Sequence, residues 1–335
     1  MIKTLKKNIK TKLFTTPSHS QNFAIFSKLK NFYKYDISEV DAYNPQSALK
    51  ESQERAAKIY GTKTTHYLLN GSTSGVIAAT LTCIKPGEKV MIWNKAHRCH
   101  ENAVKLANGI SVFYELDKDL EWGIYKAFET KKLADDIKAI IITSPSYYGV
   151  VSDIRAIKSQ NPNVYIIVDE AHGALYPFGI RESAIYQGAD FVIQSLHKTA
   201  GGLNPTALLH NNTNLDVQAS LDMITTTSPS YPLLASIEKN INYLKSHKGK
   251  QKIEELLENI KEIKKEINNV EFLEGHDPTK IVIKKTGMSG YELSEILYKH
   301  GIEDEKTNEI STMLLCGIGT DYRKLQYLKK VLKKI

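Results

Sequence analysis

Six short runs of almost uninterrupted apolar residues, THYLL, KVMIW, SVFYEL, KAIIIT, VYIIVD and ADFVIQS, recur between residues 65 and 195. Side chains of a strand point alternately to opposite faces, so a run that is apolar throughout must be covered on both. Parallel strands meet that condition, because the helices that connect them lie over the two faces of the sheet. Each interval between the runs is long enough for such a helix. An α/β layered domain with a mainly parallel sheet is expected.

The pattern predicts an N-terminal arm over residues 1–40 and a large domain over residues 41–235. From residue 236 it changes to long charged helical segments, a short strand KIVIK and a final helix RKLQYLKKVLKKI, which predicts a smaller domain over residues 236–335. A chain of 335 residues can build both. The formal net charge of +8 raises the possibility of a nucleic-acid partner. However, the densest basic segment, KSHKGKQKIEELLENIKEIKKEINN, alternates Glu with Lys at helical spacing and reads as a solvated helix face. No nucleic-acid partner is expected. No apolar run approaches the length of a membrane span, and no apolar stretch of a secretory leader follows the basic N-terminus, so no membrane partner and a cytoplasmic location are expected. Cys83, Cys99 and Cys316 are few, odd in number and scattered, which suggests no disulfide framework.

In open α/β sheets ligands bind beyond the carboxyl ends of the strands. Five such ends carry polar residues. After THYLL comes NGSTSG, where Ser72, Thr73 and Ser74 open an apolar helical stretch and can either cap that helix or join its N–H groups in holding an anion. After KVMIW comes NKAHRCH; His97, Cys99 and His100 form one compact cluster without a second ligand pair, so no metal site is expected. SPSYYGVVSD follows KAIIIT and offers Tyr147 and Tyr148 as pocket-lining or packing residues. DEAHGAL follows, with Asp169 at the tip of a buried strand, where a carboxylate needs a cation or donors. Finally, SLHKTAGG places Ser195, His197 and Lys198 where the last run gives out into glycines. A partly desolvated lysine there loses its proton more readily and can attack a carbonyl.

An anion cradle, a carboxylate, a histidine and a lysine on the strand tips of one sheet match what pyridoxal 5′-phosphate asks for: donors for its phosphate, a carboxylate for its ring nitrogen, a lysine for its aldehyde and flat or small neighbours for its ring. The chain resembles the pyridoxal-phosphate-dependent ornithine/lysine/arginine decarboxylases of bacteria. The motifs that carry the resemblance are FTTPSH, LLNGSTSG, NKAHR, TSPSYYGVVSDI, VDEAHGA, GADFVIQSLHKT, TTSPSYPLLAS and GMSGYELSEILYKHGIEDE. The resemblance implies the aspartate aminotransferase fold (fold type I): a seven-stranded, mainly parallel large domain with a smaller α+β domain. It also implies that Lys198 binds the cofactor aldehyde, Asp169 its ring nitrogen, and His97 and Ala171 the two ring faces. Ser72, Thr73, Ser74, Ser195 and His197 surround the phosphate. Thr226 and Ser228, in TTSPSY, reach the site of the partner subunit, so a homodimer is implied. The implied substrate is an amino acid, foremost lysine, ornithine or arginine, which would lose carbon dioxide to give an amine.

The sequence departs from the family pattern at Ser18, Val76, Asn204 and Pro205, and a short member without the further C-terminal domain that many of the family carry is expected. A basic substrate side chain would want a carboxylate, for which Glu303, Asp304 and Glu305 are candidates. Another reaction of the same cofactor, such as transamination or aldol cleavage, is the first alternative, since one fold hosts them all. The single arginine after residue 236, Arg323, offers little for an aminotransferase's carboxylate clamp. A non-catalytic homologue is the second alternative, and the presence of Lys198, Asp169 and His97 together speaks against it.

Overall fold

The computed structural model describes residues 12–14 and 48–335. The rest of the predicted arm, Ser18 included, lies outside the described residues. Each of the six apolar runs contributes a strand to one seven-stranded sheet: β1 (Thr64–Leu68), β2 (Lys89–Trp93), β3 (Ile110–Tyr114), β4 (Ile137–Thr143), β5 (Tyr165–Asp169) and β6 (Phe191–Ser195). The seventh, β7 (Ala207–Asn211), is a strand the run pattern does not predict. Its residues ALLHN follow a stretch of glycine and proline that reads as loop, and they end on two polar residues. β7 lies between β1 and β6 and is antiparallel to both, giving the order β1-β7-β6-β5-β4-β2-β3 with every other pairing parallel.

Alternation along β4 explains the unbroken apolar runs. Ile140 and Ile142 enter one core with Ile166, Val168 and Val192, while Ala139 and Ile141 enter the other with Val90, Ile167 and Ile193. A polar residue on either face would lose its water without gaining a partner. Helix α1 (Ala48–Tyr60) precedes the sheet, and α2 (Gly71–Cys83) follows β1 directly. The approach of α2 to the sheet requires a glycine, because a Cβ on Gly75 would lie 2.7 Å from Leu68 Cδ1 and 2.8 Å from Ile193 Cγ2. Helix α3 (Arg98–Leu106) connects β2 to β3.

Beyond β7 run α4 (Tyr231–Lys245) and α5 (His247–Lys265). Residue 236, where the smaller domain was expected to begin, falls within α4, whose Ile237, Ile241 and Leu244 belong to the large core. The Lys/Glu-rich segment forms α5 as the spacing predicts, with Ile253, Leu256, Ile260 and Ile263 on its buried stripe. A second, antiparallel sheet follows, made of β8 (Glu271–Phe272), β9 (Lys280–Lys284), β10 (Lys306–Thr307) and β11 (Thr312–Leu315) in the order β8-β9-β11-β10. KIVIK is β9, as expected. One face of this sheet packs Ile281, Ile283 and Leu314 with residues of α5, α6 (Gly290–Lys299) and α7 (Tyr322–Leu332). The other face packs Val282, Met313 and Leu315 against Trp122, Ile124 and Val150 from the segments flanking β4. Phe14, fully buried, bonds through its backbone to Glu303 and Leu315 and joins the core of the small sheet.

Candidate active site

The carboxyl ends of the parallel strands open onto a cavity of about 590 Å³. Its wall brings together Ser72, Thr73, His97, Asp169, Ala171, Ser195, His197 and Lys198, with Tyr147 and Tyr148 also facing it. Strand order brings residues from distant parts of the sequence to one place: β6 and β5 are neighbours, so Lys198 and Asp169 share the wall.

At one end of the cavity stands the N-terminus of α2. Asn70 precedes it but makes no side-chain cap, so the first-turn N–H groups have no side-chain cap there. Ser72 and Thr73 line the cavity, whereas Ser74 is buried outside it and donates its hydroxyl to the Gly71 carbonyl (2.8 Å). Ser195 is fully buried, lines the same cavity and has a hydroxyl without a hydrogen-bond partner. Nδ1 of His197 lies 3.3 Å from the Thr206 carbonyl, which orients its ring.

Lys198 sits in one π-helical turn, Leu196–Ala200, closed by Gly201 at φ 83°, a left-handed conformation that favours glycine. Its Nζ lies 3.0 Å from His172 Nε2 and 5.7 Å from the centre of the Tyr147 ring. Burial lowers the pKa of the Lys198 amine against the opposing charges of Asp169 and Glu305. Burial on its own would raise the Asp169 carboxyl, but the hydrogen bond and charge of His100, with the charge of Lys198, outweigh it and leave Asp169 lowered. The Asp169–His100 contact is 3.0 Å, and the other carboxylate oxygen accepts from Ala171 N at 3.2 Å. His97 caps α3 by accepting from Cys99 N and presents an exposed ring at the cavity.

His172 also lines the cavity, beside Lys198, although no run-end pattern in the sequence points to it. It is buried, its ring lies 4.6 Å from that of Tyr147, and burial together with Lys198 and Lys280 holds it well below the usual histidine pKa, hence neutral. Its one signal is its place in DEAHG, three residues after Asp169. A strand tip that turns back on itself can return its third residue to the same cavity.

Ligating atoms of Cys99, His100 and Asp169 lie within 4.8 Å of one another, a grouping that brings in Asp169 and leaves out His97. Burial pushes the Cys99 thiol up to about 12, away from the thiolate a metal would take. Thr226 and Ser228 are exposed and do not line the cavity; Thr226 borders a neighbouring groove with Asn70 and Pro229. Of the acidic candidates, Glu303 is exposed, Asp304 accepts from Ser294, Thr307 and Thr312, and only the charge of Glu305 reaches Lys198. Arg323 is exposed on α7. Asn204 and Pro205 line the cavity, whereas Val76 is buried in the core against the sheet.

The sequence model for "Orn/Lys/Arg decarboxylase, major domain" matches residues 10–285. The chain belongs to the Orn/Lys/Arg decarboxylase family. Within this family it is 29% identical to the uncharacterized protein YaaO of Bacillus subtilis, over 91% of this chain and 71% of that one. It is 27% identical to the arginine decarboxylase of B. subtilis, over 85% of this chain and 66% of the other. Among solved structures, Escherichia coli constitutive lysine decarboxylase superposes with a TM-score of 0.77 at 20% identity, covering 94% of this chain and 56% of that one. Sphingomonas wittichii serine palmitoyltransferase gives a TM-score of 0.73 at 12% identity, covering 97% and 86%. The chain thus spans little more than half the length of the solved lysine decarboxylase. The fold is type I of the pyridoxal-phosphate enzymes, and the cofactor of this family is pyridoxal 5′-phosphate. The residues present fit it. An unpartnered buried hydroxyl on Ser195 and uncapped N–H groups of α2 suit a phosphate, ionised Asp169 suits a protonated ring nitrogen, and Lys198 offers a depressed amine.

Proposed function

We propose that the protein decarboxylates an amino acid, foremost a basic one, with Lys198 as the cofactor-bearing amine. The observation that carries this reading is the placing of the Lys198 amine and the Asp169 carboxylate on adjoining strand tips of one cavity. Ser72, Thr73, Ser195 and His197 would hold the phosphate, and Ala171 and His97 would flank the ring. Bound there, pyridoxal 5′-phosphate supplies a sink for the electron pair left on the α-carbon when a carboxylate departs. Asp169 stays ionised and keeps a proton on the ring nitrogen, so its stabilising effect grows as charge develops. Burial keeps a larger share of Lys198 unprotonated near neutral pH, and neutral His172 beside it can accept a proton at Nε2. The Tyr147 ring packs at a tilt against that of His172.

Two of the relatives above are an arginine and a lysine decarboxylase, which supports a basic substrate here. Among the described residues lining the cavity, Asp169 is the only carboxylate; we infer that a partner subunit supplies the group that meets a basic side chain. A homodimer fits that need, and it fits the exposed Thr226 and Ser228, which stand outside their own chain's cavity. No described helix is long and apolar enough to cross a membrane. The test is to load the purified protein with cofactor, record its visible absorbance, and follow carbon dioxide release from lysine, ornithine and arginine in turn. Carbon dioxide from one of them, lost in Lys198→Ala, supports the reading. A cofactor band without carbon dioxide from any amino acid would move it to another reaction of the same cofactor.

A further inference from the structure

The first residue of β9 is a lysine withdrawn from solvent. The Lys280 side chain is fully buried, and its ammonium lies 2.7 Å from Asp277 Oδ2, 2.7 Å from the His172 carbonyl and 3.1 Å from Thr279 Oγ1. An ammonium has three N–H donors, and all three are used. Asp277 is equally buried and accepts further from Tyr176 OH, Thr279 N and Thr279 Oγ1. Desolvating two charges offsets most of their attraction, so such a pair is a poor source of net stability, but its directed bonds fix geometry.

The geometry fixed here belongs to the active site. Asp277 N donates to the Gly149 carbonyl (3.1 Å), and Ile318 N donates to the Thr199 carbonyl (2.9 Å). Together with the Lys280 bond, the small-sheet region therefore holds the loops after β4, β5 and β6, which carry Tyr147, His172 and Lys198. The His172 side chain has one hydrogen-bond contact: its Nδ1 is buried without a partner, and its Nε2 meets Lys198. Its backbone carbonyl is the handle by which it can be held.

We propose that Lys280 is a positioning residue of the active site, holding the His172 carbonyl so that the His172 imidazole stays packed against the Lys198 amine. This rests on the reading of Lys198 as the cofactor-bearing amine. The groups whose charge or ring faces Lys198 are His172, Tyr147, Asp169, Cys99, Glu305, His97, His197 and Lys280 itself. With His172 released, water would reach Lys198 and the amine would become more basic.

The test uses Lys280→Met, which leaves Asp277 unpaired, and Lys280→Met/Asp277→Asn, which removes the pair as a neutral unit. Both are compared with the wild type in two measurements. The first is the pH dependence of the rate at which apoprotein takes up pyridoxal 5′-phosphate at Lys198, followed by visible absorbance. The second is labelling of His172 by diethylpyrocarbonate, read by mass spectrometry. The expected result for the folded double variant is an uptake midpoint about one pH unit higher, hence about tenfold slower uptake on the acid side of the midpoint. His172, protected in the wild type, becomes labelled. A folded double variant with a wild-type midpoint and a protected His172 would overturn the proposal. Failure of both variants to fold would overturn it too, making the pair a folding element. If the wild type forms no band at Lys198, the reading beneath it fails first and the inference goes with it.

Discussion

Lys198 and Lys280 are both drawn out of solvent, yet their surroundings give them opposite chemistry. Lys280 meets three oxygen acceptors, one of them a carboxylate, in a space with no opening. Lys198 faces a cavity, has a neutral imidazole as its close partner, and feels the Asp169 charge without a hydrogen bond to it among the described contacts. Burial with full pairing fixes an ammonium in place, whereas burial without it makes the amine easier to deprotonate. The same residue type thus suits a fastening in one place and, under the proposed function, a nucleophile in the other, and the acceptor set decides which.

The largest effect should come from removing the second kind of lysine. Lys198→Ala is expected to abolish both the cofactor's visible band and carbon dioxide release while leaving the unfolding midpoint of the apoprotein near that of the wild type; retention of the band would erase the contrast. Breaking the first kind should do the reverse. Asp277→Asn strands the Lys280 charge and is expected to cost about 3–5 kcal/mol of stability, read by urea unfolding of the apoprotein. Asp169→Asn keeps the shape of the site but withdraws the charge, and should lower kcat by about 10²–10³-fold, the usual scale for one electrostatic group at a reaction centre. Ser195→Ala removes a hydroxyl with nothing to lose in the apoprotein. Its stability should hold, while affinity for the cofactor falls by about tenfold or somewhat more, as for a hydrogen bond to a charged group.

The smallest effect concerns a third buried charge. Burial raises Glu170 to about 7, despite donors from Ser183, Ala184 N and Gln194. Its folded pKa stands above its unfolded one, so the protonated form favours the folded state. That contribution is complete below about pH 4 and is lost as pH rises through about 7. Glu170→Gln should therefore flatten the decline of stability between about pH 4 and 7. An unchanged slope would place Glu170 with the fully paired ions such as Asp277, whose contribution is lost instead as the pH falls into the acid range.

Much of the active site was legible because the strand-tip rule converts sequence order into position. Asp169, Ala171, Ser195, His197 and Lys198 each follow an apolar run, and all five line the cavity. Ser74 escaped the rule because one turn of helix carries it out of the wall, where Gly71 O takes its hydroxyl. His172 escaped in the other direction: its role depends on a turn that brings it back to Lys198, and histidine spacing by itself does not encode that return. The Lys280–Asp277 pair was unreadable for a simpler reason. KIVIK reads as a strand with lysine ends, and lysines at strand ends ordinarily reach water.

The sequence by itself determined the two-faced apolar strands, their helical crossovers and the chemical types of the groups at their tips. These are local matters of periodicity and composition, settled within a few residues. Only the tertiary structure decided that β7 would insert between β1 and β6, that the small sheet would bond to three loops of the cavity, and which buried lysine would be paired. Those outcomes depend on contacts between residues as far apart as His172 and Lys280, and the protonation of each group follows from the acceptors and solvent that such contacts leave to it.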